Sequence, residues 1–192
     1  SPGTLPYLRL LTSLGGLQGR MGQVVEARRT LEDAVHLAHD LGRPDALAAA
    51  SGNLGILMIG QGEHKAATDA LNEALVAARQ ADAHWLMAHL TGHLGVVAQD
   101  QHDLERAAEC YQNARTLAMA IGDRRGGALW TLNLGVTHYE QGDYDAALPL
   151  LEEGRGLVTA QGSRSLEAGA YIFTGSCLVA QGQGKDGLAY ID

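Results

Sequence analysis

The feature that most limits how this chain can fold is a glycine that returns every 40 residues. It follows Leu or Thr and stands at Gly15, Gly55, Gly95, Gly135 and Gly175. Other columns keep the same step. Seven residues after the glycine come Gly22, Gly62, His102, Gly142 and Gly182, and twelve after it come Ala27, Ala67, Ala107, Ala147 and Gly187. Sixteen after it come Leu31, Leu71, Tyr111 and Leu151, and nineteen after it Ala34, Ala74, Ala114 and Gly154. A fixed period in this range marks an array of small supersecondary units, each burying its apolar face against its neighbours.

Each unit reads as two helices. In the second, Leu47, Ala48, Leu54, Leu57 and Met58 recur at helical spacing. Gln61-Gly62-Glu63 then breaks the pattern, with Gly62 suited to a left-handed cap. A second stripe follows in Ala67, Leu71, Ala74, Leu75 and Ala78, and Pro44-Asp45 opens the unit. Repeats are expected over about 5–42, 45–82, 85–122, 125–162 and 165–192, the last incomplete. An interior helical glycine costs about 1 kcal/mol against alanine. Five at one register imply a steric need, here close contact between the first helix of a pair (helix A) and the second (helix B). Half a hairpin at the C-terminus cannot bury its own face. The expectation is a piece of a longer protein, with Leu188, Tyr190 and Ile191 offering an apolar end for self-association. The opening Ser-Pro-Gly is set aside as a cloning remnant.

The spacing of Leu-Gly, then Ala twelve residues on, then Leu or an aromatic four further, resembles the tetratricopeptide repeat. The likeness covers nearly the whole chain, with units of 40 residues where the usual repeat has 34. The longer unit is similar to repeats in sensor regions of bacterial MalT-type signal-transduction ATPases and regulators, and in LGN/Pins-type scaffolds. "IGDRRGGALWTLNLGVTHYEQGDYDAALPLLEEG" has the bacterial flavour. The aromatic expected three residues before the Leu is mostly replaced, by Leu11, Ser51, Thr91 and Thr131, with Tyr171 in the last repeat. The resemblance implies an all-α, right-handed solenoid of antiparallel hairpins, about four and a half repeats, with A helices lining the inner wall.

Composition limits the functions. Net charge is −8, and no basic stripe is visible to neutralise phosphates, so neither nucleic acid nor an anionic membrane is an expected partner. Two cysteines without a motif suit a reducing, cytoplasmic setting. No apolar run reaches the length of a membrane span.

On the inner wall that the resemblance implies, columns run Arg9, Ala49, His89, Leu129, Gly169; then Ser13, Asn53, His93, Asn133, Phe173; then Gly16, Ile56, Val96, Val136, Ser176; then Arg20, Gly60, Asp100, Glu140, Ala180. The Asn of "NLG" is not needed for packing on this reading. Asn53 and Asn133, with His93 between them, place amides and an imidazole in one row, able to donate to and accept from a peptide backbone. Ile56, Val96 and Val136 would floor the groove. His89, Arg9, Arg20 and Tyr139 complete the candidate groove residues. The alternative for the Asn row is a solvated polar wall, and for the floor ordinary packing between repeats. A clamp for C-terminal carboxylates is not expected, because only Arg9 and Arg20 supply cations.

Catalysis is not expected. His89 and His93 share a helix face at a spacing that can hold zinc, but no third ligand is evident, with His84 placed before the helix. His36 and His39 read as surface residues, and Arg124-Arg125-Gly126-Gly127 as a solvated turn rather than a phosphate nest. Trp85 and Trp130 read as core or inter-repeat packing residues, with a binding hot spot as the alternative, and Pro149 as a bend in a B helix. The sequence therefore points to a non-catalytic scaffold binding a protein or peptide in its groove, without metal or cofactor. The alternative is a ligand-sensing domain of a signal-transduction ATPase or transcription regulator.

Overall fold

In a computed structural model, residues 4–160 and 164–190 are described. Ser1, Pro2, Gly3 and Ile191 lie outside them. The helices are α1 Leu5–Arg20, α2 Val24–Asp40, α3 Pro44–Ile59, α4 His64–Gln80, α5 His84–Asp100, α6 Leu104–Ala120, α7 Arg124–Glu140, α8 Tyr144–Ala160, α9 Arg164–Ala180 and α10 Gly184–Leu188. There is no strand among the described residues. The fold is an all-α array of tetratricopeptide-type hairpins, odd-numbered helices being the A helices. The chain divides into two compact units, residues 1–97 and 98–192.

A left-handed residue closes the helices at a 20-residue spacing. Positive φ occurs at Gly22, Gly42, Gly62, Asp82, His102, Gly122, Gly142 and Gly182. After α3, the Gly62 N–H donates to the Ile59 carbonyl at 2.9 Å and Glu63 N–H to Met58 at 3.0 Å. These bonds satisfy carbonyls that the helix end leaves open. Asp103 and Asp143 then cap the following B helices, accepting from the N–H of Arg106 at 3.2 Å and Ala146 at 3.1 Å.

The periodic glycine meets the periodic leucine. A Cβ on Gly15 would lie 2.6 Å from Leu31 Cγ, and one on Gly55 2.8 Å from Leu71 Cγ. The same contact recurs at Gly135, 2.9 Å from Leu151 Cγ. Within the first unit, Leu8, Ala34, Ala38, Ala46 and Ala50 form one apolar cluster, joining α1, α2 and α3. Within the second, Ala128, Leu132, Ala147, Leu151, Val158, Ala170 and Cys177 do the same for α7, α8 and α9. Pro149 does not interrupt α8.

The column where the repeat pattern calls for an aromatic holds a polar clasp instead. Ser51 Oγ donates to Glu73 at 2.9 Å, and the other oxygen of Glu73 meets His39 Nε2 at 2.9 Å. In the second unit Arg115 donates to Thr131 Oγ1 at 3.1 Å and to both oxygens of Glu153 at 2.9 Å. In the last repeat Tyr171 does stand in this column, and the guanidinium of Arg155 lies 5.4 Å from its ring and 5.7 Å from that of Tyr190.

Candidate functional site

In the first unit the A-helix face carries two adjoining cavities. An open cleft of about 480 Å³ runs between α1 and α3, lined by Gly16, Gly19, Arg20, Asn53, Ile56, Leu57 and Gly60. Small residues make the space, and Arg20 borders it from the last turn of α1. A second, smaller notch of about 100 Å³ lies between α3 and α5, lined by Ala49, Gly52, Asn53, Ile56, Trp85, His89, Leu90 and His93. Asn53 and Ile56 belong to both. Gly52 is what lets α5 approach, since a Cβ there would sit 2.8 Å from a Leu90 methyl.

Asn53 is half-buried. Its amide nitrogen lies 3.5 Å from the Thr12 carbonyl, a long hydrogen bond, and 3.3 Å from where a Cβ on Gly16 would be. The Asn thus does take part in packing, against the α1 backbone, which corrects the expectation that packing does not need it. His93 is held neutral. Burial chiefly, and the neighbouring His89 secondarily, lower its pKa to about 4.

Trp85 is not the packing residue that its sequence position suggests, and the structure corrects that expectation. Its side chain is 54% exposed at the start of α5, with its ring 4.1 Å from that of His89. Trp130 does pack, fully buried and stacked on Tyr111 at 6.1 Å. No signal marked Trp85. Its repeat equivalents Leu5, Asp45, Arg125 and Ser165 share no chemistry.

The second unit carries a notch at the same repeat register, about 120 Å³, lined by Leu132, Asn133, Val136, Leu166, Gly169, Ala170 and Phe173. Its polar member is differently engaged. The Tyr111 phenol donates to Gln99 Oε1 at 2.8 Å, and Gln99 Nε2 donates to Glu140 at 2.8 Å. Burial first, then the nearby carboxylates of Asp100 and Glu140, push the phenol's pKa far up. A hydrogen bond with Asn133 acts the other way. Asn133 is therefore tied to Tyr111, which replaces the Leu of its column. Tyr139 packs edge-on to Phe173 at 5.9 Å and against Tyr144 at 5.5 Å, so its ring is partly committed to the core.

The structure thus brings Arg20, Asn53, Ile56, His89 and His93 around the two first-unit cavities, and Asn133 with Val136 around the second-unit notch. Arg9 and Val96 lie outside these linings. His36 and His39 are exposed on α2, Arg124 and Arg125 at the start of α7. No cluster of three His, Cys, Asp or Glu that could hold a metal exists among the described residues. No described helix is long and apolar enough to cross a membrane.

Two family models described as tetratricopeptide repeat match residues 86–159 and 132–192. The model for anaphase-promoting complex subunit 5 matches twice, over 5–51 and 42–101. No curated protein sequence matches the chain. Among solved structures, BtubC (BKLC) from P. vanneervenii is similar with TM-score 0.84 and 21% identity, over 95% of this chain and 76% of that one. The STAND protein with a tetratricopeptide repeat sensor from Pyrococcus horikoshii gives 0.79 at 13%, over 90% of this chain and 27% of that one. A Rap protein complexed with competence and sporulation factor gives 0.81 at 13%, over 95% and 55%. These likenesses carry the fold.

Proposed function

Because the chain belongs to the tetratricopeptide-repeat family, we propose that it is a non-catalytic scaffold that binds an extended peptide or protein segment along its A-helix face. The repeated fold mediates interactions between proteins, and this scaffold is typically not an enzyme. The observation that carries the groove reading is the pair of notches at one repeat register. Each lies between consecutive A helices, and each has an Asn beside a β-branched residue, Asn53 with Ile56 and Asn133 with Val136. A notch of this size takes one apolar side chain, and the amide beside it meets the ligand backbone. Exposed Trp85 supplies a rigid aromatic contact of the kind that dominates interface energetics. Neutral His93 adds no charge to the notch.

The test is selection of peptides from a random display library on the purified chain. Affinities are then measured by fluorescence anisotropy on wild type, Asn53→Ala, Trp85→Ala and the B-helix control Arg29→Ala. The proposal expects selected peptides to lose about tenfold or more, or about 1.4 kcal/mol, with the first two variants and nothing with the control. Selected peptides that bind all four proteins equally would contradict it.

The sensor reading has one supporting observation. The 480 Å³ cleft beside Arg20 is of a size that holds a small molecule, and proteins of this fold include the STAND sensor and the Rap protein above. On that reading Arg20→Ala would weaken a small anionic ligand and leave the selected peptides unaffected.

A further inference from the structure

The cleft between α1 and α3 is a place where several side chains are missing at once. Gly16 stands where the next three repeats carry Ile56, Val96 and Val136, and Gly19 where the others carry Ile59, Gln99, Tyr139 and Val179. Gly60, at the end of α3, takes the place held elsewhere by Arg20, Asp100, Glu140 and Ala180. All three glycines line the cleft of about 480 Å³. A Cβ on Gly19 would meet a Leu57 methyl at 3.4 Å, and one on Gly60 the Leu57 carbonyl at 3.4 Å, both ordinary contact distances. Gly60 also has a helical φ of −61°. Neither close packing nor backbone conformation requires glycine at these two positions, as packing does at Gly15 and Gly55.

Two nitrogen donors border this space. The point where a Cβ on Gly16 would stand lies 3.3 Å from Asn53 Nδ2 and 3.8 Å from Arg20 Nη1. One N–H of Asn53 makes the long bond to the Thr12 carbonyl, and the amide carries a second. Arg20 is exposed and has no ion-pair partner among the described residues. That exposure does not come from its place in the first repeat, because Gly60, Asp100, Glu140 and Ala180 are exposed at the same register. No Asp or Glu lines the cleft, in a chain that holds 22 of them. A guanidinium with free N–H groups beside an amide N–H matches the two oxygens of a carboxylate.

The cleft and the notch between α3 and α5 share Asn53 and Ile56. Packed helices stand about 8–10 Å apart, and an extended chain rises about 3.3 Å per residue. A peptide crossing α3 therefore passes from notch to cleft in about three residues. We propose, resting on the groove reading above, that the cleft is a second subsite of the peptide groove. Arg20 and Asn53 there hold the carboxylate of an Asp or Glu about three residues from the apolar side chain in the notch.

Charge reversal tests this. Peptides are selected from the random library on wild type and on Arg20→Glu, whose fold is checked by circular dichroism. They are then synthesised with acetylated and amidated ends, so that only side chains carry charge. Wild type is expected to enrich Asp or Glu at the stated distance from an apolar residue, and Arg20→Glu to enrich Lys or Arg at that place. Wild-type peptides are expected to bind Arg20→Glu about tenfold or more weakly. Changing their acid to the amide should weaken them on wild type and have no effect on Arg20→Ala. Peptides that lose affinity with Trp85→Ala but not with Arg20→Glu, and carry no preferred acid, overturn the subsite and leave the groove standing. Peptides indifferent to Trp85→Ala and Asn53→Ala overturn the groove, and the subsite with it.

Discussion

Leu71 fills the place where Gly55 would carry a side chain, its Cγ standing 2.8 Å from that missing Cβ. The Ala67 carbonyl is close as well, at 3.3 Å, so neither side chain nor backbone has room to give. Gly55→Ala should therefore destabilise the chain. Overpacking costs roughly 1–3 kcal/mol, and the gain in helix propensity offsets about 1. A net loss of roughly 1–2 kcal/mol in urea unfolding is expected, with Gly135→Ala behaving alike.

Gly156 gives the opposite sign. It lies inside α8, and a methyl group placed on its Cα would meet nothing within 4 Å. Gly156→Ala should stabilise by about 0.5–1 kcal/mol, read as a rise in the urea midpoint with unchanged slope.

The two tryptophans should separate stability from binding. Trp130→Ala removes a buried ring stacked on Tyr111 and should cost about 3–5 kcal/mol. Trp85→Ala removes an exposed ring and should cost under about 1 kcal/mol, while weakening selected peptides at least tenfold. Equal thermal destabilisation by both would contradict the placement of Trp85.

His93 sets a pH dependence. Its folded pKa is lowered to about 4, against an ordinary value of 6.5. Between those values the unfolded chain binds a proton that the folded chain does not, so stability falls as pH drops through 6.5 towards 4. By pH 5 the loss from this residue is about 2 kcal/mol. Comparing wild type with His93→Gln by urea unfolding at pH 7.5 and 5 isolates it, because every other group is common to both proteins. The variant should show the flatter dependence.

Hairpins, turns and close glycines were legible because each is forced at every repeat. Gly55 against Leu71 and Gly15 against Leu31 are one contact written twice. The site's side chains change from one notch to the other and read less well. Trp85 sits in the first turn of α5, where helix faces carry no periodic demand, so nothing in its column marked it as exposed. Asn133 looked like Asn53 by register, but Tyr111 in a leucine column brings a buried phenol that engages it.

The most direct test of the A-helix face is a ¹H–¹⁵N titration of the labelled chain with one selected peptide. The chain holds two tryptophans, so it gives two indole N–H signals, assigned with Trp85→Phe. The binding account predicts that the Trp85 indole and the Asn53 side-chain amide shift with saturation while the buried Trp130 indole stays in place. A peptide that saturates the protein and moves neither Trp85 nor Asn53 would contradict it.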